Sequence, residues 1–161
     1  MFNAIYHSPI GQLTLTGDEN YIYRLSFPTE PAPLLALRND LPVFQKAFSW
    51  LDNYFMAEKP DPKELPLMPE GTPFQVQVWK LLLEIPYGGS VTYGHLANQI
   101  CLLTGKDKLS AQAVGGAVGR NPIGIIIPCH RVLGAGDRLT GFRGGLDIKM
   151  RLLDHENIPY R

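Results

Sequence analysis

Cysteine is scarce: only Cys101 and Cys129 occur in 161 residues, and none before position 101. Two are too few for a disulfide framework. A chain of this length needs none, because it can bury roughly two thirds of its unfolded surface. Long apolar runs are also missing, which excludes a helical membrane span. Residues 1–20 show no basic stretch followed by an apolar core, so no signal peptide and a cytoplasmic location are expected. There is no excess of either charge, with fifteen Lys+Arg against fifteen Asp+Glu, and that balance speaks against a generally basic nucleic-acid binder. Neither internal repeats nor low-complexity tracts are present. A hydrophobic content of 45% with 19% charged residues is too apolar for a disordered chain.

What is present reads as α+β, in two parts. Phe2–His7, Gln12–Thr16 and Tyr21–Phe27 are short β-prone runs separated by Gly-, Pro- and Asp-containing turns, the pattern of an antiparallel meander. Val43, Ala47, Trp50, Leu51, Tyr54 and Phe55 then recur at helical spacing over 42–56. Prolines 60, 62, 66 and 69 predict a linker ending near Gly71, which divides the chain into a structural domain 1–70 and a second domain 71–161. The second part is mostly helical. Thr72-Pro73-Phe74-Gln75 has the form of a capping box with proline in the first turn. A second helix follows Thr92, and a third, capped by Ser110, runs 111–120. Gly124–Ile127 is expected to be a short buried strand, and a last helix carries Leu146, Met150, Leu152 and Leu153. Cys101 lies on an apolar helical face and reads as core.

Divided at that linker, the neutral charge turns out to be a cancellation. Residues 1–71 hold five Lys/Arg against nine Asp/Glu, and residues 72–161 hold ten against six. The second part is therefore the basic one, as a nucleic-acid-facing surface requires. Its third helix is unusual: Ala113-Val114-Gly115-Gly116-Ala117 places glycines in a helix interior, where each costs about 1 kcal/mol relative to alanine. Tight helix packing and close approach of a partner both explain such a surface. The second helix, a long turn over 102–109 and this helix have the outline of a helix-turn-helix.

The chemistry concentrates at Pro128-Cys129-His130-Arg131-Val132. A thiol is a nucleophile only as thiolate, so a reactive cysteine needs a base or a cation beside it. His130 can take the proton if it is held neutral and oriented, and a carboxylate completes such a relay. Glu156 on the last helix is the candidate third member. His7, His95 and His155 form no metal-ligand spacing with either cysteine, and neither metal nor cofactor is expected.

This string resembles the active-site signature of the O6-alkylguanine-DNA alkyltransferases, also called methylated-DNA–protein-cysteine methyltransferases. Gly71–Gln75 with Val78-Trp79, Ile85-Pro86-Tyr87-Gly88, Tyr93, Leu96-Ala97, Ala113–Ala117, Asn121-Pro122, Gly144-Gly145-Leu146, Lys149, Leu152-Leu153 and Glu156 follow in family order. The resemblance implies a ribonuclease H-like first domain and a winged helix-turn-helix-like second one. It implies one irreversible transfer of the alkyl group from O6-alkylguanine, and from O4-alkylthymine, to Cys129. His130 would draw off the thiol proton through a water, with Glu156 orienting it. Asn121 would tie the recognition helix to the active-site segment, and Tyr93 would donate to N3 of the leaving guanine. Backbone groups of Cys129, Val132 and Arg143 would meet the base, Phe142 would wall it, and Gly124 would line the pocket.

The expected partner is double-stranded DNA, bound through the minor groove by a monomer. Tyr93, Gln112, Ala113, Gly115, Gly116, Arg120 and Arg131 are expected to face it, and no membrane is involved. The lesion nucleotide must be flipped out, since the thiolate cannot reach the alkyl carbon in the stack. Gln112 stands where the family usually has an arginine finger. The long turn carries Lys106 and Lys108, which we read as additional phosphate contacts. A damage-binding relative without transfer is the alternative, and the presence of Cys129 argues against it; a generic thiol hydrolase would not require Asn121 or the helix-turn-helix.

Overall fold

The computed structural model describes residues 1–161 and divides into two compact units. One comprises 1–70 with 122–126, and the other 71–121 with 127–161.

In the first unit β1 (Phe2–Ser8), β2 (Gly11–Gly17) and β3 (Ile22–Ser26) form an antiparallel sheet in that order. Ser8 pairs with Gly11, so the β1–β2 turn has only two residues between partners. Gly11 sits at φ 111°, and a Cβ there would come within 2.7 Å of Pro28, so only glycine fits. α1 (Pro42–Phe55) supplies Phe44, Ala47, Trp50, Leu51 and Tyr54 to the core, and the Phe44 ring reaches the backbone of β2 at Gly17. Both sheet edges are covered. Asn3 bridges Leu37 on one side, while Ile22 bridges Leu67 and Leu25 bridges Ile123 on the other. Covered edges offer no template for pairing with another chain.

Two expectations need correction here. The proline-rich stretch is docked instead of free: Ile22 donates to the Pro66 carbonyl at 2.9 Å, Met68 donates back to Ile22 at 2.8 Å, and the Trp50 indole N–H donates to the Asp61 carbonyl at 2.9 Å. Proline lacks an N–H but its carbonyl still accepts, which is why Pro66 serves at a sheet edge. Gly124–Ile127 is not a strand. Only Ile123 makes a bridge; Ile125 then turns at φ 67° and the Ile126 N–H closes on the Gly124 carbonyl at 2.8 Å. The left-handed conformation of a β-branched residue costs on the order of 1–3 kcal/mol, and complete burial of Ile125, Ile126 and Ile127 offsets it.

The second unit contains α2 (Pro73–Leu82), β4 (Val91–Thr92), α3 (Tyr93–Thr104), α4 (Ala111–Gly119), β5 (Val132–Leu133) and α5 (Leu146–His155). Its helices begin where side chains satisfy the first free N–H groups. Thr72 and Gln75 form the reciprocal box, Thr92 caps α3 and Ser110 caps α4. The buried Trp79 indole donates to the Ala117 carbonyl at 2.8 Å and locks α2 to α4. β4 and β5 pair in parallel, Val91 with Val132, which brings the start of α3 beside the segment that follows Cys129. On α5 Leu152 and Leu153 are buried as expected, but Leu146 and Met150 are exposed and Lys149 occupies the inner face. Cys101 is only partly buried and does not belong to the core. No helix is long and apolar enough to cross a membrane.

Candidate active site

Cys129 opens a single 3-10 turn, Cys129–Arg131, set off by Pro128. The turn is pinned by the Cys129 N–H on the Ile127 carbonyl at 2.8 Å and the Arg131 N–H on the Pro128 carbonyl at 3.1 Å. The buried Asn121 donates its side-chain amide to the same Ile127 carbonyl at 2.8 Å and also hydrogen-bonds the Cys129 sulfur. Asn121 thus connects the end of α4 to the turn that carries Cys129.

His130 and Glu156 are both buried, and His130 Nε2 lies 2.5 Å from Glu156 Oε2. The other carboxylate oxygen accepts from Arg131 Nε at 2.7 Å and from the Gly88 N–H at 3.0 Å. Burial by itself would raise the Glu156 carboxyl, but the donors on both oxygens and the Arg131 charge hold it well below the usual carboxylate range. Burial lowers His130, and Glu156 only partly restores it, which favours a neutral imidazole whose Nε2–H donates to the carboxylate. Its Nδ1 is the one buried side-chain nitrogen or oxygen without a hydrogen-bond partner. Burial pushes the Cys129 thiol up, opposed by Asn121 and by the charges of Arg143 and Lys149. Burial thus favours the uncharged form of both side chains.

A cavity of about 30 Å³ is lined by Cys129, Tyr93, Gly115, Val118, Gly119, Gly141, Phe142 and Arg143. The structure thus brings Tyr93, Gly115, Phe142 and Arg143 to the sulfur. A larger cleft along α2 holds only Lys80 and Glu84 as charged groups and no nucleophile. Gln112, Ala113, Gly116 and Arg120 are exposed on or just after α4, and Lys106 and Lys108 are exposed in the turn before it. Gly124 lies in the 122–126 segment of the first unit. No group of three His, Cys, Asp or Glu side chains is arranged to hold a metal ion.

Arg131 does not face outward as expected for a DNA contact. Its guanidinium is buried, with Nε donating to Glu156 and Nη1 to the Ile85 carbonyl, each at 2.7 Å. Two further side chains, Lys149 and Thr140, belong to the site though no sequence motif assigns them a role. Lys149 Nζ donates to the Val132 carbonyl at 2.9 Å and to Thr140 Oγ1 at 3.2 Å, and Thr140 Oγ1 lies 2.7 Å from the Tyr93 hydroxyl. Burial lowers Lys149 to about 8. A lysine three and four residues before Leu152 and Leu153 stands on the buried stripe of its helix, and that is the signal that could have revealed it.

Two family models cover nearly the whole chain. The 6-O-methylguanine DNA methyltransferase ribonuclease-like domain matches residues 1–69, and the DNA binding domain of the same family matches 73–158. The chain is 45% identical to a methylated-DNA–protein-cysteine methyltransferase of Haemophilus influenzae, covering 99% of this chain and 88% of that protein. A Methanosarcina acetivorans protein of the same description is 44% identical over 97% of this chain and 98% of its own length. Among solved structures, that of Mycobacterium tuberculosis OGT in complex with DNA superposes with a TM-score of 0.85 at 39% identity, covering 97% of this chain and 92% of that one.

Proposed function

Since the chain belongs to the 6-O-methylguanine DNA methyltransferase family, we propose that Cys129 accepts the alkyl group of O6-alkylguanine, and of O4-alkylthymine, once per molecule. The protein repairs DNA by moving an alkyl group from the DNA to its own cysteine. One observation carries the assignment of the site: in a buried Cys–His–Glu set, the single unpartnered polar atom is His130 Nδ1. That lone pair can take the Cys129 proton through a water while Glu156 holds the other ring nitrogen, Nε2. The thiolate then attacks the alkyl carbon, the S–C bond forms, and the electron pair of the C–O6 bond goes to the purine. Tyr93, in the same cavity as the sulfur, donates to N3 of the leaving base. Asn121 positions the nucleophile, Arg131 holds Glu156, and Phe142 and Arg143 form the wall the base meets. The thioether has no route back to thiol, so the acceptor is consumed.

Duplex DNA is bound through its minor groove, with the lesion nucleotide flipped out at a cost of a few kcal/mol. Glycine in α4 supports this reading. A Cβ on Gly116 or Gly119 would meet nothing within 4 Å, and one on Gly115 would touch Tyr93 only at ordinary distance. Packing within the protein does not require these glycines, whereas close approach of a backbone does. Gly116→Ala should therefore stabilise the helix by about 0.5–1 kcal/mol yet weaken DNA binding about tenfold. A higher thermal midpoint with unchanged affinity would refute the role given to this surface. Lys106 and Lys108 add phosphate contacts, and Gln112 occupies the place of the displaced base. Replacing both lysines by alanine should lower the slope of log affinity against log salt by about 2, and an unchanged slope removes them from the interface.

The assay for the function itself is intact-protein mass after incubation with an O6-methylguanine duplex. We expect every active molecule to gain one methyl group, mapped to the peptide containing Cys129. Binding without a mass gain would place the chain with the non-transferring damage binders.

A further inference from the structure

Tyr93 has a directional problem that only its neighbours can solve. A phenol has one proton; to donate to a purine nitrogen it must aim that proton at the base and accept from its other neighbour. The other neighbour here is Thr140, with Oγ1 2.7 Å from the Tyr93 hydroxyl oxygen. Thr140 also has a single proton, and left to itself could equally accept from Tyr93. Lys149 decides the direction. Its ammonium has no lone pair and donates to Thr140 Oγ1 at 3.2 Å and to the Val132 carbonyl at 2.9 Å. A hydroxyl that receives from a cation becomes the better donor on its free side, so successive bonds align.

We infer that Thr140 is a positioning residue for the transfer: it relays the donor direction from Lys149 to Tyr93, leaving the phenolic proton for N3 of the departing guanine. This rests on the role of Tyr93 proposed above. In the step, S–C forms, C–O6 breaks with its pair going to the purine, and the Tyr93 proton moves to N3. Thr140 keeps its proton and stabilises the phenolate oxygen by hydrogen bonding, Lys149 keeps its own and bonds Thr140, and Tyr93 recovers a proton from solvent after the DNA leaves. Burial raises the Tyr93 phenol and Thr140 opposes that rise, which agrees with a bond that strengthens as the oxygen becomes negative. The Thr140 methyl is turned toward Gly134, 3.1 Å from where a Cβ on that glycine would stand.

The test compares Thr140→Val and Thr140→Ser in single-turnover methyl transfer at saturating DNA. Two duplexes are used, one with O6-methylguanine and one with its 3-deaza analogue, which has carbon in place of N3. Thr140→Val should slow transfer from the guanine about tenfold or more, while Thr140→Ser stays within about twofold of wild type. On the 3-deaza duplex the wild type should already be slow, with Thr140→Val no slower. If Thr140→Val keeps the wild-type rate while the wild type still discriminates against the analogue, the inference about Thr140 is wrong and Tyr93 keeps its role. Equal wild-type rates on both duplexes would remove the role of Tyr93 and the inference with it. Equal slowing of Thr140→Val on both duplexes means a merely structural contribution and also overturns the proposal. Should valine prevent folding, Thr140→Ala gives the same comparison without the added methyl.

Discussion

Cys129→Ala should abolish methyl transfer, by at least ~10⁴-fold in single-turnover rate, while leaving the fold and DNA binding nearly intact. The reason is chemical: no other sulfur lines the cavity, and Cys101 lies on α3 outside its lining. Cys129 is 5% exposed, so deleting its sulfur leaves a small void worth ~1 kcal/mol, well within the stability of a chain this size. The variant should therefore hold lesion-containing DNA without discharging it. Intact mass after a long incubation and affinity by titration are the two readings. A residual mass gain in Cys129→Ala would mean that another residue is the acceptor.

The second large effect belongs to Glu156. Its carboxylate receives His130, Arg131 and the Gly88 N–H, so Glu156→Ala leaves a buried guanidinium and an imidazole without their acceptor. Breaking a buried pair from one side costs about 3–5 kcal/mol, a large part of the 5–15 kcal/mol typical of a whole domain. Glu156→Gln keeps the volume and one acceptor oxygen but loses the charge. It should fold with a smaller loss and slow transfer ~10²-fold, because His130 no longer has an anion opposite the proton it must accept.

Acid stability gives an independent reading of the same group. The unfolded chain takes up protons at a carboxylate near ~4.3, whereas the folded chain does so only at lower pH. The Glu156 contribution is thus fully present above ~4.3 and is lost as pH falls through the folded value. His130, lowered by burial, adds a loss of the same sign that begins as pH drops below ~6.5, where the unfolded imidazole protonates and the buried one does not. Denaturation midpoints from neutral to acid pH should fall in two stages for the wild type. In Glu156→Gln the lower stage should flatten while the upper one remains. A steep lower stage in that variant would assign the carboxylate linkage elsewhere.

The sequence alone determined whatever is written within a few residues. The Thr72–Gln75 box, the Ser110 cap, the β-meander and the acidic and basic halves were legible because a cap or a turn involves side chains three or four positions apart. Cys129 and His130 are adjacent and stand out as candidates directly; Glu156 and Asn121 are candidates because they fall in a recognised order of motifs, and the structure brings all four side chains into one hydrogen-bonded neighbourhood. The tertiary structure decided the direction and partners of the polar groups in between. Arg131 reads as a surface cation until its guanidinium is seen on Glu156 and on the Ile85 carbonyl. Lys149 and Thr140 gain meaning only when α5 and its preceding loop meet Tyr93 at the start of α3. Ile125 leaves its expected strand for a turn at φ 67°, and the run of three isoleucines is buried all the same. Apolar periodicity is a local property and can be read along the chain. The place of a buried charge depends on which distant atom desolvates and pairs it, and that is settled only when the chain closes on itself.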